Sequence, residues 1–335
     1  MKLTIGNFYV KDIVFGNELS FKDGVLTINK EEALDFVKQD DRITEAELYI
    51  VKPGDSVRLC PVKEAIEPRV RPDGKGIFPG YTTELRQAGE GTVYALKNTS
   101  VLVVGRHAGG FQDGLIDMAG PGQKLTLFGG LQNIVLVADT NEEFERHEQQ
   151  KMNDALRRAG HKLAEFIATC VKELQPEEEE VYEMDSIRNR GEEVEKLPSV
   201  VYVMQPQSQM EAMGYNDLLY GWDLNHFLPT LMHPNEIFDG CIVSGSFMPC
   251  SSKWSTYDFQ NVPNIKALYR EHGKTINFLG IIMSNLNVAL LQKERASQFV
   301  ANLAVQVGAD AAVVAEEGYG NPDADFIGTI VALED

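Results

Sequence analysis

The chain has 335 residues, 43% of them hydrophobic and 24% charged, with a net charge of −19. This is an ordinary globular composition with enough length for two domains. So acidic a surface repels phosphate backbones and anionic lipid, which sets nucleic acids and membrane surfaces aside as partners. No apolar run approaches a membrane span, and Met1–Val10 alternates like a strand rather than a signal peptide, so a cytoplasmic protein is expected.

Strand signals dominate residues 1–140, at Leu3–Val10, Val25–Asn29, Ala46–Val51, Val93–Leu96, Val101–Val104 and Leu131–Ala138, with one short helix at Glu31–Lys38. Pro61–Tyr81 is rich in Pro and Gly and predicts a long loop carrying Lys63, Arg69, Arg71 and Lys75. Such cations suit a substrate carboxylate, since Arg bonds that group through two N–H donors, or are simply solvated beside turns. The glycine-rich stretch Gly105–Gly122 follows a strand but lacks the GxGxxG order, so no nucleotide site is expected.

Residues 141–197 read as a long helix and an acidic linker. Asn141 opens the helix with Glu142, Glu143 and Glu145 near its positive end. Met152, Leu156, Ala159, Leu163, Phe166, Cys170 and Leu174 then form one apolar face, either core or subunit contact. Gln175–Lys196 is so charged that it predicts an exposed linker and the domain boundary.

From residue 198 to 335 strands and helices alternate, the grammar of a mostly parallel α/β sheet. Strands are predicted at Val200–Met204, Cys241–Val243, Ile276–Met283 and Ala311–Ala315, and helices at Asn264–His272, Glu294–Val307 and Phe326–Asp335. The expected fold class is therefore α/β, a β-rich first part followed by a mostly parallel sheet. Cys60, Cys170, Cys241 and Cys250 are scattered without a CxxC pair, and His226 and His233 are the only histidines close together. Neither pattern predicts a metal site.

Two loops carry the candidate chemistry. After Cys241–Val243 the chain breaks at Ser244-Gly245-Ser246 and runs through Cys250, Ser251 and Ser252 to Lys253. Small nucleophiles beside a lysine, where a strand ends, make Ser246, Cys250 and Lys253 the catalytic candidates; the plain alternative is a Ser-rich turn with a buried thiol. After Ala311–Ala315 comes Glu316-Glu317-Gly318-Tyr319-Gly320-Asn321-Pro322-Asp323, whose Glu316, Glu317, Asn321 and Asp323 are substrate-binding candidates. The same residues could equally cap a helix. If both strands belong to one parallel sheet, the loops share an edge, and crowded carboxylates there should have at least one raised pKa.

Several segments resemble one family. Pro229–Gly245, Ile66–Val70, Gly76–Gly80, Gly110–Met118 and Glu316–Asp323 are similar to the pyruvoyl-forming subunit of component B of glycine, sarcosine and betaine reductases. The resemblance implies a small amine substrate, reductive C–N cleavage, a selenoprotein-type partner subunit, a selenoprotein carrier and an oligomeric assembly. In that family an Asn-Cys pair follows the Ser-Gly, and the Cys becomes a pyruvoyl group when the chain cuts itself. Here the pair is Ser246-Phe247, and phenylalanine carries no nucleophile, so no pyruvoyl cofactor is expected. Cys250 matches the second Cys of the family loop, and a cut before Cys250 or Ser251 stays open. Family chains continue beyond the point matching residue 335, so the α/β part reads as C-terminally incomplete. Three readings remain: a reductase subunit, an uncleaved non-catalytic scaffold, or a thiol enzyme using Cys250.

Overall fold

The computed structural model describes residues 1–106, 114–141, 149–209, 216–245, 253–318 and 320–335, with the side chains of 149–151 excepted. Among the described residues two large sheets and a small three-stranded one, Asp12–Phe15, Val25–Ile28 and Ser20–Lys22, build the first part. One large sheet has four strands in the order Glu178–Glu183, Lys2–Tyr9, Gly91–Lys97, Arg69–Val70; the other has five, in the order Gly114–Asp117, Arg58–Ile66, Thr99–Gly105, Gln132–Thr140, Ile43–Val51. The helix Gln149–Ala168 packs against strands of both. Its Met152, Leu156, Ala159 and Leu163 are fully buried, as the apolar periodicity requires. That face is therefore interior from Met152 to Leu163, whereas Phe166 and Cys170 are half-buried and Leu174, past the end of the helix, is exposed. Residues 142–148, where the helix was expected to begin, lie outside the described residues.

The acidic stretch is not a free linker. Glu178–Glu183 pairs antiparallel with Lys2–Asn7, and Asn7 Nδ2 donates to Glu180 at 2.8 Å. Alternation hidden inside the charge run turns Tyr182 into the core while its neighbours face solvent. One apolar cluster contains residues from Leu3 to Met283, spanning both sides of this stretch.

The Pro61–Tyr81 stretch also departs from expectation, because Arg58–Ile66 is a strand. Arg69 and Arg71 are buried with their donors spent inside the protein. Arg69 pairs with Glu67 at 2.5 Å and donates to the carbonyls of Phe238 and Gln260, while Arg71 holds Asp239 at 2.7 Å. They are neither solvated nor directed at a substrate anion; they pin the Pro234–Phe238 helix to the first part.

The α/β part has the predicted sheet. Ser199–Gln205 lies between Asn277–Met283 and Ala311–Glu316, parallel to both, and Thr230–Met232 adds an antiparallel edge. Helices Leu290–Gln306 and Asn321–Glu334 pack together beside the sheet. The strand expected at Cys241–Val243 is outside this sheet: Ile242–Val243 pairs antiparallel with Leu218–Leu219 in a separate three-stranded sheet. No described helix is long and apolar enough to cross a membrane.

Candidate active site

Three parallel strands end together, and their C-terminal extensions bring polar residues into the interior. Gln205 ends the central strand and Gln207 comes after it, Ser284 and Asn285 follow Asn277–Met283, and Glu316 ends Ala311–Glu316 with Glu317 next. The backbone N–H of Glu317 donates to Gln205 O at 2.9 Å and so carries the ladder one residue past the strand.

Side chains alternate across the sheet, so the two glutamates part company. Glu317 turns inward to Asp217, and both are fully buried. Every oxygen of this pair accepts a backbone N–H. Asp217 Oδ1 takes Gly245 at 2.8 Å and Oδ2 takes Gln207 at 3.0 Å; Glu317 Oε1 takes Trp254 at 2.9 Å and Oε2 takes Gln207 at 3.1 Å. Burial raises Asp217 to about 6 although its hydrogen bond with Glu317 pulls it down, while burial and the charge of Asp217 together raise Glu317 well above its ordinary range. One proton is shared, and Glu317 holds it.

The pair ties three loops together, and one of them needs a glycine. A Cβ on Gly245 would stand 1.6 Å from Asn216 O, which no side chain tolerates. Lys253 is buried, and its Nζ would meet a Cβ on Gly318 at 2.6 Å. Its charge lowers the pKa of Asp217, Glu316 and Glu317 against their burial.

Glu316 faces a second group. Burial and a hydrogen bond with Asp323 push its pKa up to about 7. Asp325, buried near it, ion-pairs with Lys293 and accepts the Asn287 N–H at 3.0 Å. Asn321 and Asp323 sit in the exposed first turn of the final helix, which starts at Asn321 rather than Phe326. Among the described residues, Ser244 Oγ, Gln207 Oε1, Asn285 Oδ1 and Glu316 Oε2 are buried without a hydrogen-bond partner. Three of these, Gln207, Asn285 and Glu316, end or follow the parallel strands, and buried polar atoms without partners there suit a polar ligand.

Behind the Ser244 loop lies a network that sequence reasoning missed. Thr256 Oγ1 accepts the Ser244 N–H at 3.0 Å and lies 2.9 Å from Glu64 Oε2 and 3.1 Å from His161 Nε2. His161 Nδ1 is 2.8 Å from Arg157 O and must donate to it, which leaves Nε2 as an acceptor in the neutral ring. Thr256 has one hydroxyl proton and gives it to Nε2, so Glu64 supplies its own to Thr256. Burial favours the same answer, raising Glu64 to about 7 and lowering His161 to about 3. Glu64 Oε1 meanwhile accepts the N–H groups of Ala65 at 2.8 Å and Thr256 at 3.0 Å.

Of the predicted residues, Lys253 and Glu317 come together around Asp217, Glu316 and Asp323 form a neighbouring group, and Asn321 stays outside at the helix start. Ser246 and Cys250 lie outside the described residues, as do Phe247, Ser251 and Ser252. The two loops meet, although the premise of a shared parallel sheet fails. Gly245 and Trp254, which bracket the first loop, hydrogen-bond to Asp217 and Glu317. His233 is structural, capping Pro234–Phe238, and among the described residues no cluster of potential metal ligands occurs.

Fold and candidate site define an α/β protein with a mostly parallel sheet, at whose C-terminal end a buried carboxyl pair holds the loops. The whole chain, residues 1–335, matches the family described as glycine/sarcosine/betaine reductase component B subunits, and it belongs to that family. It is 68% identical over 335 residues to the betaine reductase complex component B subunit alpha of Peptoclostridium acidaminophilum, covering 100% of this chain and 76% of that one. It is 40% identical over 328 residues to the sarcosine reductase complex component B subunit alpha of the same organism, covering 98% and 75%. The glycine reductase complex component B subunits alpha and beta of Acetoanaerobium sticklandii are 39% identical over 328 residues, again covering 98% and 75%. No solved structure matches the chain. The chain is thus a component B subunit of this reductase type and works with other subunits of a complex.

Proposed function

We propose that the chain is the amine-binding subunit of a betaine-cleaving component B. The observation that carries this is the gap in identity between the betaine relative, at 68%, and the sarcosine and glycine relatives, at 40% and 39%. The chemistry proposed is reductive cleavage at the α-carbon. A selenolate from a partner subunit gives its electron pair to that carbon, and the C–N pair leaves with nitrogen as free trimethylamine. A quaternary nitrogen departs neutral, so it needs no proton from the protein. The part left to this chain is binding and orientation. Asp217 and Glu317 then serve as positioning residues that hold Gly245 and Trp254, and Lys253, Cys250 and Ser246, with Glu316, Asn321 and Asp323, are the residues proposed to act on the substrate.

The same chemistry explains why a phenylalanine at residue 247 is tolerable. A quaternary amine forms no Schiff base, so a pyruvoyl carbonyl would have no amine to capture. Residue 247 does not fit that group, and the chain stays whole across Ser246–Phe247. We place the protein in the cytoplasm, beside a selenoprotein carrier. Two measurements test this reading. Intact mass spectrometry should give one unbroken chain; two fragments, one with a blocked N-terminus, would overturn the uncleaved state. Assembled with its partner subunits and a dithiol, the protein should release trimethylamine from betaine. Release of ammonia from glycine, with none of trimethylamine, would refute the substrate assignment.

A further inference from the structure

A cavity of about 480 Å³ opens between the ends of Ser199–Gln205 and Ala311–Glu316 and the start of the helix Pro263–Glu271. Its walls include Tyr202, Met204, Trp254, Tyr257 and Phe259, and among the described residues its one carboxylate is Asp258. No lysine or arginine lines it among the described residues. The aromatic wall is fixed in place. Trp254 and Phe259 meet edge to face at 5.6 Å, Tyr257 packs the same way on Phe128 at 5.4 Å, and Asp258 is anchored by the Ser255 N–H at 2.8 Å. Trp254 also reaches the site described above, since its backbone N–H binds Glu317 and it follows Lys253 directly.

We infer that this cavity is the subsite for a quaternary ammonium group, the trimethylammonium head of the substrate, with Trp254, Tyr257 and Tyr202 supplying ring surface and Asp258 the balancing charge. The inference rests on the betaine reading and says where selectivity resides. Anions are excluded, because a carboxylate is present and no cation is. A primary ammonium gains less: Asp258, Asn261 and Asn264 offer it acceptors, but each N–H donor left against the rings and methyls costs free energy. A trimethylated nitrogen has no N–H to satisfy, and its diffuse charge is attracted by aromatic ring faces. The cavity therefore sorts amines by methylation, without any group that touches the breaking bond.

The test uses the full chain with Trp222→Phe, which leaves Trp254 as the sole reporter, since the chain has two tryptophans. Trp222 is exposed and lines a different pocket. Tetramethylammonium chloride and betaine should each quench Trp254 saturably. Ammonium chloride and glycine at equal ionic strength should bind at least about tenfold more weakly, the scale of desolvated cation–π contacts. Ala315→Leu fills the cavity while keeping every ring, and should weaken tetramethylammonium binding by about tenfold or more with the circular dichroism unchanged. Calorimetry on Trp254→Leu should find the same loss. Equal responses to tetramethylammonium and ammonium, or wild-type binding in both variants, would overturn the subsite. Saturable tetramethylammonium binding in a complex that releases no trimethylamine would sink the substrate assignment and leave the subsite standing. Undiminished trimethylamine release by Ala315→Leu would do the reverse.

Discussion

At the residue scale the buried carboxyl pair makes an asymmetric claim about a single proton. Glu317 holds it and Asp217 carries the charge, so the two amide substitutions should not be equivalent. In Asp217→Asn an NH2 group faces either the Gly245 N–H, which loses its acceptor, or the Gln207 N–H, which keeps Glu317, and in both orientations the proton of Glu317 loses a charged acceptor. Leaving a buried donor unsatisfied costs about 1–3 kcal/mol. In Glu317→Gln the amide nitrogen can take the place of the protonated oxygen and still donate to Asp217. Only the Gln207 N–H, which also reaches Asp217, loses a partner. Urea denaturation should therefore show Asp217→Asn clearly destabilised and Glu317→Gln close to wild type, about 1 kcal/mol or less. The opposite order would put the proton on Asp217.

At the element scale, legibility followed the range of the interactions. The face of Gln149–Ala168 was readable because helical spacing is local, and the strands Ser199–Gln205, Asn277–Met283 and Ala311–Glu316 were readable as short apolar runs. Arg58–Ile66 was not, because its buried Lys63 and Glu64 look like loop residues until their surroundings are known, and Thr256 is 192 residues away from Glu64. Glu178–Glu183 was hidden for a related reason. A charged strand at a sheet edge is a common safeguard against unwanted pairing, yet in sequence it resembles a linker. At the candidate site Glu316, Glu317 and Lys253 could be picked out by their place after strands. Asp217, Lys293 and Asp325 carried no local signal, since each matters only through a distant partner. One element contact yields a sharp test. A Cβ on Gly160 would fall 2.2 Å from Val103 Cγ2, so the helix lies on the Thr99–Gly105 strand only because residue 160 has no side chain. Gly160→Ala should lose about 1–3 kcal/mol to overpacking despite the better helix propensity of alanine. Adding Val103→Ala should recover part of that loss; thermal melts showing no recovery would mean the contact is not the cause.

At the scale of the whole molecule the raised and lowered carboxyls oppose one another, and together they place the optimum of stability on the acid side. Glu64 and Glu316 are raised to about 7 and Asp217 to about 6, chiefly by burial. For such groups the fold favours the protonated form, so their contribution is complete below about pH 4 and is lost as pH rises through 6 and 7. Glu67 goes the other way, since Lys97 and Arg69 outweigh its burial and hold it at about 2, and Arg42 and Arg71 do the same for Asp40 and Asp73. Their contribution is complete above about pH 4 and is lost as pH falls toward 2. The net charge of −19 at pH 7 adds self-repulsion on the alkaline side. Melting temperature should therefore peak near pH 5 and decline by pH 8. Glu64→Gln separates the causes. Its amide can accept the Ala65 and Thr256 N–H groups and donate to Thr256 Oγ1, just as the protonated acid does, and it cannot ionise. The variant should match wild type at pH 5 and exceed it at pH 8, by roughly 3 kcal/mol at most for a shift from 4.5 to about 7. A variant that tracks wild type across the whole range would show that Glu64 is ionised in the fold and that the Thr256–His161 hydrogen bonds run the other way.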